Sequence, residues 1–232
     1  MLLIEWDRLP KEMQNDKVRK YYDMLQRKKF QMVIKRIFDF LFASVLLLLL
    51  SPVLVVLAIW IKCDSDGPAF YRQERVTQYG RIFRIYKFRT MAVDKKGTGS
   101  SVTVENDSRI TKVGKKIRKL RLDELPQLIN ILKGEMSFVG TRPEVKKYVD
   151  AYSEEMLATL LLPAGVTSLA SIHYKDEDAI ISSFLQNGEN IDCIYIEKVL
   201  PSKMEYNLKE IENFNLWSEI KIMLDTVFEV FL

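Results

Sequence analysis

Histidine is almost missing from this chain: His173 is the only one in 232 residues. That removes Ser-His-Asp chemistry and histidine-rich metal sites from consideration. Cysteine is nearly as scarce. Cys63 and Cys193 stand far apart with no CxxC, so neither a disulfide framework nor a zinc site is indicated, and a reducing, cytoplasmic-facing setting is the natural one. Charge of one sign does not dominate either. The 35 Lys+Arg residues face 31 Asp+Glu, a formal excess of +4 that is too small to imply nucleic acid and suits an anionic membrane surface or a phosphorylated substrate equally well. Any catalysis must therefore fall to carboxylates, lysine and arginine. The length suits one domain, with or without appendages, and no internal repeat is visible.

What the chain does have is one long apolar run. From Phe40 to Ile61, FLFASVLLLLLSPVLVVLAIWI, 22 residues pass without a charge. A hydrocarbon core about 30 Å thick needs roughly 20 such residues as a helix, so the run belongs in a membrane. The long charged stretch before it and the absence of a small-residue cleavage site argue against a cleavable signal peptide. Basic residues flank both ends: Arg27, Lys28, Lys29, Lys35 and Arg36 before, Lys62, Arg72 and Arg75 after. Basic flanks favour the cytoplasmic side, and here both ends carry them. Ser51-Pro52 falls near the middle. Proline removes a helix donor, and a neighbouring serine hydroxyl can satisfy the group left over. These features favour a re-entrant helix hinged at Ser51 and Pro52 that leaves on the face it entered; a kinked single span is the alternative.

The remaining segments divide the chain into a polar, loosely amphipathic portion (1–34), the membrane helix (35–62) and a cytoplasmic-facing domain (63–232). Between Lys11 and Val33 apolar residues recur at helical spacing, giving an amphipathic helix near the membrane surface, with a partly ordered tail as the bland reading. AFYRQERV and GRIFRIYKFRTM read as strands joined by a glycine-bearing turn, and Lys87 and Arg89, two apart, share a face. The polar stretch 92–109 reads as a flexible loop, and Ile110 to Arg121 as a strongly basic helix suited to anionic head groups or simply to solvent. DELPQLINILKG is a short amphipathic helix ending near Gly134, with Pro126 tolerated in its first turn. LLPAGVTSLASIHY reads as a turn followed by an extended segment, and NLWSEIKIMLDTVFEVFL as an apolar-loaded helix. The fold class is α/β (mixed α+β, helix-rich).

Two adjacent acids open the short helix. Asp123 fits its N-cap and Glu124 its first turn, where negative charge meets the helix dipole. A sharper reading divides chemistry between them. A carboxylate can be a nucleophile toward phosphorus, and its neighbour can hold Mg²⁺ that neutralises phosphate oxygens. Lys87, Arg89 and Arg142 are then candidates to stabilise phosphate charge.

Taken in order, VIKRIFDFLFASVLLLLLSP, YRQERV…GRIFRIYKFRTM, DSRITKVGKKIRKLRLDELPQLINILKGEMSFVGTRP and PAGVTS resemble the bacterial sugar transferase family, the monotopic phosphoglycosyl transferases, over nearly all the chain from about Gln31. The resemblance implies transfer of a sugar phosphate from a UDP-sugar to undecaprenyl phosphate at the bacterial cytoplasmic membrane, initiating a capsule, O-antigen or related glycan. It implies Asp123 as nucleophile in a ping-pong sequence and Glu124 as its Mg²⁺-associated partner. It also implies Lys87 in the Tyr-Lys-Phe-Arg segment, Arg142 and Pro143 at the end of a Gly-Pro-Arg-Pro turn, and Lys175 where the family has a downstream arginine. This chain departs from the pattern at Thr141, at Lys175 and at Glu219, where the family more often has proline, arginine and aspartate. Membrane phospholipid is an implied partner, nucleic acid is not, and a homodimer is permitted without being required. Two competing readings are a membrane-anchored scaffold, for which Asp123 is only a cap, and a nucleotide-sugar pyrophosphatase, which needs no polyprenol.

Overall fold

The computed structural model describes residues 3–92, 107–184 and 190–231; most of the loop expected at 92–109 lies outside them. The apolar run becomes part of one continuous helix, α2 (Lys29–Asp64), preceded by α1 (Asp16–Gln26). At 1.5 Å per residue α2 is roughly 54 Å long. Pro52 cannot donate to the carbonyl of Leu48, one turn back, and the Ser51 hydroxyl donates to that carbonyl instead at 2.8 Å. The backbone therefore continues through the proline with the freed acceptor satisfied. One stripe of α2 is covered by protein, with Met32, Ala43, Leu57 and Ile61 buried. The opposite stripe, including Phe40, Leu41, Leu48, Leu49, Val55, Val56 and Ile59, is exposed. A bare apolar surface of this length on a helix beside a polar domain is the mark of membrane association.

The rest of the chain builds two small sheets. β1 (Phe70–Val76) and β2 (Ile82–Phe88) form an antiparallel hairpin, with Tyr71 opposite Lys87. The turn between them needs a reversal, which Tyr79 and Gly80 supply at φ 59 and 73. Next, α3 (Lys112–Lys119) starts on a Thr111 cap, and the Val113 N–H donates to Asp64 at 3.1 Å, pinning the basic helix to the end of α2. A 3-10 turn (Leu122–Gln127) leads into α4 (Leu128–Lys133), which Gly134 ends in the left-handed conformation. β3 (Met136–Val139) follows and pairs in parallel with β4 (Ala164–Thr167). Between them lies α5 (Lys146–Val149). After β4 come α6 (Leu169–His173), α7 (Glu177–Phe184) and α8 (Ile191–Ile194). A π-helical turn (Tyr195–Val199) joins α8 to α9 (Leu200–Glu212), and α10 (Leu216–Phe231) closes the described chain.

Two expectations change. α1 does not present its apolar face outward. Val18, Tyr21, Tyr22 and Leu25 are buried against Leu161, Ile211 and Phe214, because chain more than a hundred residues away covers that face. The extended segment after Pro163 stops at Thr167, since Ser168 caps α6 through the N–H of Ser171 and turns the chain helical.

Polar bonds lock this frame around α2. Buried Lys35 pairs with buried Glu219 of α10 and lies 4.0 Å from Asp39, which accepts from the Ser137 hydroxyl at 2.8 Å. Fully buried Asn130 accepts from the N–H of Tyr86 at 2.9 Å and donates to the carbonyl of Arg84 at 3.0 Å, fastening α4 to β2. Where β3 meets β4, a Cβ on Gly165 would lie 2.2 Å from the Gly140 carbonyl oxygen. Gly165→Ala must therefore push apart the strands that lead into the Thr141-Arg142 turn. It is expected to cost about 1–3 kcal/mol in a urea melt.

Candidate functional site

A cleft of about 880 Å³ runs between α3, the 3-10 turn, the loop after β3 and the α6–α9 region. Three separate stretches deliver its central side chains. Lys87 comes from the end of β2, Glu124 from the 3-10 turn and Arg142 from the loop after β3. Arg142 grips Glu124 with both guanidinium nitrogens, at 2.6 and 3.2 Å, and Lys87 reaches the same carboxylate at 3.1 Å. Burial alone would raise the pKa of Glu124, but the charges of Arg142 and Lys87 overcome that and hold it well below the usual carboxylate range. Glu124 in turn raises Arg142, while burial pulls Lys87 down despite its partner.

Asp123 is placed differently. The N-cap position belongs to Arg121, a non-glycine residue at φ 54, and Asp123 lies inside the turn without accepting a capping bond. Leu122 packs against the apolar cluster around Phe88 and Ile117, and the turn begins two residues earlier than the capping pattern implies. Asp123 is 7% exposed, is not itself on the cleft wall, and its Oδ1 is buried with no hydrogen-bond partner among the described residues. Burial, reinforced by the adjacent Glu124 charge, raises its pKa to about 6. The site therefore holds two neighbouring carboxylates in opposite states: one paired with two cations and strongly acidic, the other desolvated, without an ion pair and weakly acidic. The left-handed backbone at Arg121 is local strain of the kind that functional sites retain.

The other expected residues fall on both sides of the boundary. Pro143 lines the cleft, and its carbonyl accepts from Arg75 at 3.1 Å. Lys175 lies on the exposed rim, paired with Glu229 of α10 at 2.7 Å. Arg89 is not brought to the cleft. β2 ends at Phe88, and the Arg89 guanidinium turns to the carbonyls of Ser65 and Asp66 just past the C-terminus of α2. Two neighbourhoods escaped sequence reasoning. Arg118 and Arg121, read only as part of a basic run, face the cleft, as does a buried group around Glu144, Tyr195 and Lys203. The residues of that group lie more than fifty positions apart, or on different helices, and leave no local pattern to find.

Magnesium is commonly held by one or two carboxylates, with substrate phosphates and water completing the shell. No group of three or more metal-ligating side chains occurs among the described residues. Glu124 nevertheless suits that role, because it lines the cleft and its Oε2 carries a single hydrogen bond.

The state of Asp123 has a measurable sign. Its pKa is raised on folding, so its contribution to stability is present below about pH 4 and is lost as pH rises through about 6. Asp123→Asn is expected to be more stable than wild type at pH 8, by on the order of 3 kcal/mol, with the gap closing by pH 4. Urea melts at both pH values check this, and a gap independent of pH would remove the buried-charge account.

With the geometry in hand, comparison with known proteins is informative. A family model described as bacterial sugar transferase matches residues 30–232. An Aeromonas hydrophila protein named UDP-N-acetylgalactosamine-undecaprenyl-phosphate N-acetylgalactosaminephosphotransferase is 34% identical over 197 residues, which are 84% of this chain and 43% of that protein. A Klebsiella pneumoniae protein named UDP-glucose:undecaprenyl-phosphate glucose-1-phosphate transferase is 35% identical over 204 residues, 87% of this chain and 41% of the relative. A Bacillus subtilis protein named uncharacterized sugar transferase EpsL is 34% identical over 200 residues, 86% of this chain and 88% of its own length. The chain thus spans less than half of the first two relatives and most of the third. On the extent of the family match and the level of identity, this chain belongs to the bacterial sugar transferase family.

Proposed function

We propose that the chain transfers a sugar 1-phosphate from a UDP-sugar to undecaprenyl phosphate, through a covalent aspartyl-phospho-sugar, at the start of a surface glycan. The observation that carries the reading is the asymmetric dyad. A carboxylate left desolvated and without a partner costs free energy, and it is no cap, so chemistry is the remaining reason to keep Asp123 there. The names of the relatives, which pair UDP-sugars with undecaprenyl phosphate, supply the substrate class.

In this mechanism Arg142 and Lys87 receive the donor's diphosphate, neutralising charge that would otherwise repel an anionic nucleophile. Asp123, ionised and unrestrained by a hydrogen bond at Oδ1, turns into the cleft and attacks the sugar-bearing phosphorus. A phosphorus–oxygen bond forms to the carboxylate, the bond to the bridging oxygen breaks, and UMP leaves with that electron pair. A phosphate oxygen of the polyprenol then attacks the same phosphorus, releasing the Asp123 carboxylate and giving a polyprenyl diphospho-sugar. Bound Mg²⁺, held through Glu124, would supply further neutralisation of phosphate oxygens. Arg118 and Arg121 extend the positive wall along which the donor enters.

The acceptor's phosphate lies at the bilayer surface, which gives α2 its purpose. A re-entrant, monotopic arrangement at the cytoplasmic membrane is supported by the way α2 is covered. Ala43, before Pro52, packs with Ile131 and Met136, while Leu57 and Ile61, after it, pack with Phe88 and Ile117 of the same domain. A helix crossing the bilayer would carry one of those ends to the far side, away from the domain.

The first test is UMP release from a panel of UDP-sugars with undecaprenyl phosphate and Mg²⁺. Wild type is expected to release UMP only with acceptor, and Asp123→Asn to reduce that release by more than ~10³-fold. Sugar phosphate appearing in water without acceptor would establish a pyrophosphatase instead. For topology, exposed Cys63, and a cysteine introduced by Arg27→Cys, should react with an impermeant maleimide from the same side of sealed vesicles as Cys193. Labelling of the two helix ends from opposite sides overturns the monotopic reading.

A further inference from the structure

One part of the cleft has no place in the mechanism above. Beyond Arg142, the wall carries Glu144, Glu177, Tyr195 and Lys203. Lys203 is 3% exposed and touches three partners: the Glu177 carboxylate at 2.8 Å, the Tyr195 hydroxyl at 2.8 Å and Glu144 at 3.5 Å. Tyr195 donates to Glu144 at 2.5 Å, and Arg75 lies 3.8 Å from the same carboxylate. Buried ion pairs are a poor source of stability, since desolvation offsets most of their attraction. Such a network on a cleft wall therefore calls for another explanation.

We infer that this cluster is the subsite that reads the hydroxyl groups of the donor's sugar ring, an assignment that rests on the transferase reading above. Three observations converge on it. The first is charge. Two carboxylates, Glu144 and Glu177, face two cations, Arg75 and Lys203, so the cluster is formally neutral, whereas on the wall with Lys87, Arg118, Arg121 and Arg142 the cations outnumber their partners Glu124 and Asp178. A phosphate would meet two anions here. A neutral sugar, whose hydroxyls both donate and accept, meets alternating carboxylate, ammonium and phenol groups.

The second is position. Arg142 joins the two regions: its principal partner is Glu124, and the charges of Glu177 and Glu144 also act on it. A sugar is bonded directly to the phosphate that Arg142 would hold, so it has to occupy neighbouring space. The third is the backbone. Tyr195 opens the π-helical turn Tyr195–Val199 within an otherwise α-helical stretch, a local widening that occurs frequently at functional sites. Glu177, with 26% of its side chain exposed, is the member through which the network meets the cleft's solvent.

The subsite selects among hexose donors by leaving one of its buried groups unpaired when a hydroxyl is missing or inverted. The experiment is a steady-state comparison of wild type, Tyr195→Phe and Glu144→Gln in membranes, across UDP-hexoses that differ at single ring positions, with UMP as product inhibitor. Both variants are expected to lower kcat/KM for the preferred donor by about 10–100-fold, to flatten the preference among epimers, and to leave the UMP inhibition constant unchanged. Equal losses for every donor, or no loss for any, would sink the assignment. So would weaker UMP inhibition, which would give the cluster to the nucleotide instead. Tyr195→Phe removes one hydroxyl and no charge, so it keeps the test open if Glu144→Gln fails to fold. UMP release by wild type from some donor separates failure of the subsite from failure of the transferase reading, on which the subsite depends.

Discussion

The Glu124 carboxylate is the point at which three distant pieces of chain meet. Arg142 and Lys87 arrive from a loop and a strand that share no hydrogen-bonded ladder, and their ammonium and guanidinium groups close on a single acid. Without that acid the two cations would repel each other at the edge of a desolvated cleft. With it they are fixed in place before any phosphate arrives, so little reorganisation is left for the reaction itself. The neighbouring Asp123 gains its character by contrast: the cations bond to Glu124, and the charges of Lys87, Arg118 and Arg142 offset the burial of Asp123 only in part.

That local arrangement depends on how the membrane helix is seated. Asp64, at the end of α2, holds the N-terminus of α3, and α3 leads directly into the turn bearing the dyad. Arg89 contributes from the other side by tying the carbonyls past the end of α2 to the strand that delivers Lys87. The frame around the dyad is therefore referenced to the exposed apolar helix α2. For the proposed reaction, which joins a water-soluble donor to a lipid phosphate, that is the coordinate that matters.

Much of this was legible in the sequence, and what was not has physical reasons. The uncharged run, the hairpin and the basic helix announce themselves through local periodicity and composition, and the motifs bearing Lys87, Asp123, Glu124 and Arg142 singled out those four residues through the family resemblance. Arg89 misled because alternation along a strand says which face a residue shares, but not where the strand stops or which bare carbonyls lie nearby. Asp123 looked like a cap because the rule sees residue type and not the left-handed Arg121 at which the turn begins two residues earlier. The inward face of α1 and the Glu144–Tyr195–Lys203 network depend on partners far along the chain, which no window of residues contains.

The pairing of Lys35 with Glu219 has a practical side. It joins the beginning of α2 to α10, and Asp39 extends the same buried group to β3 through Ser137. Removing α2 to obtain a water-soluble fragment would leave Glu219 and Ser137 facing a void and strip the cover from Ile131, Met136 and Phe88. Helix and domain thus share one interior: α2 is as much a wall of it as an exposed apolar surface.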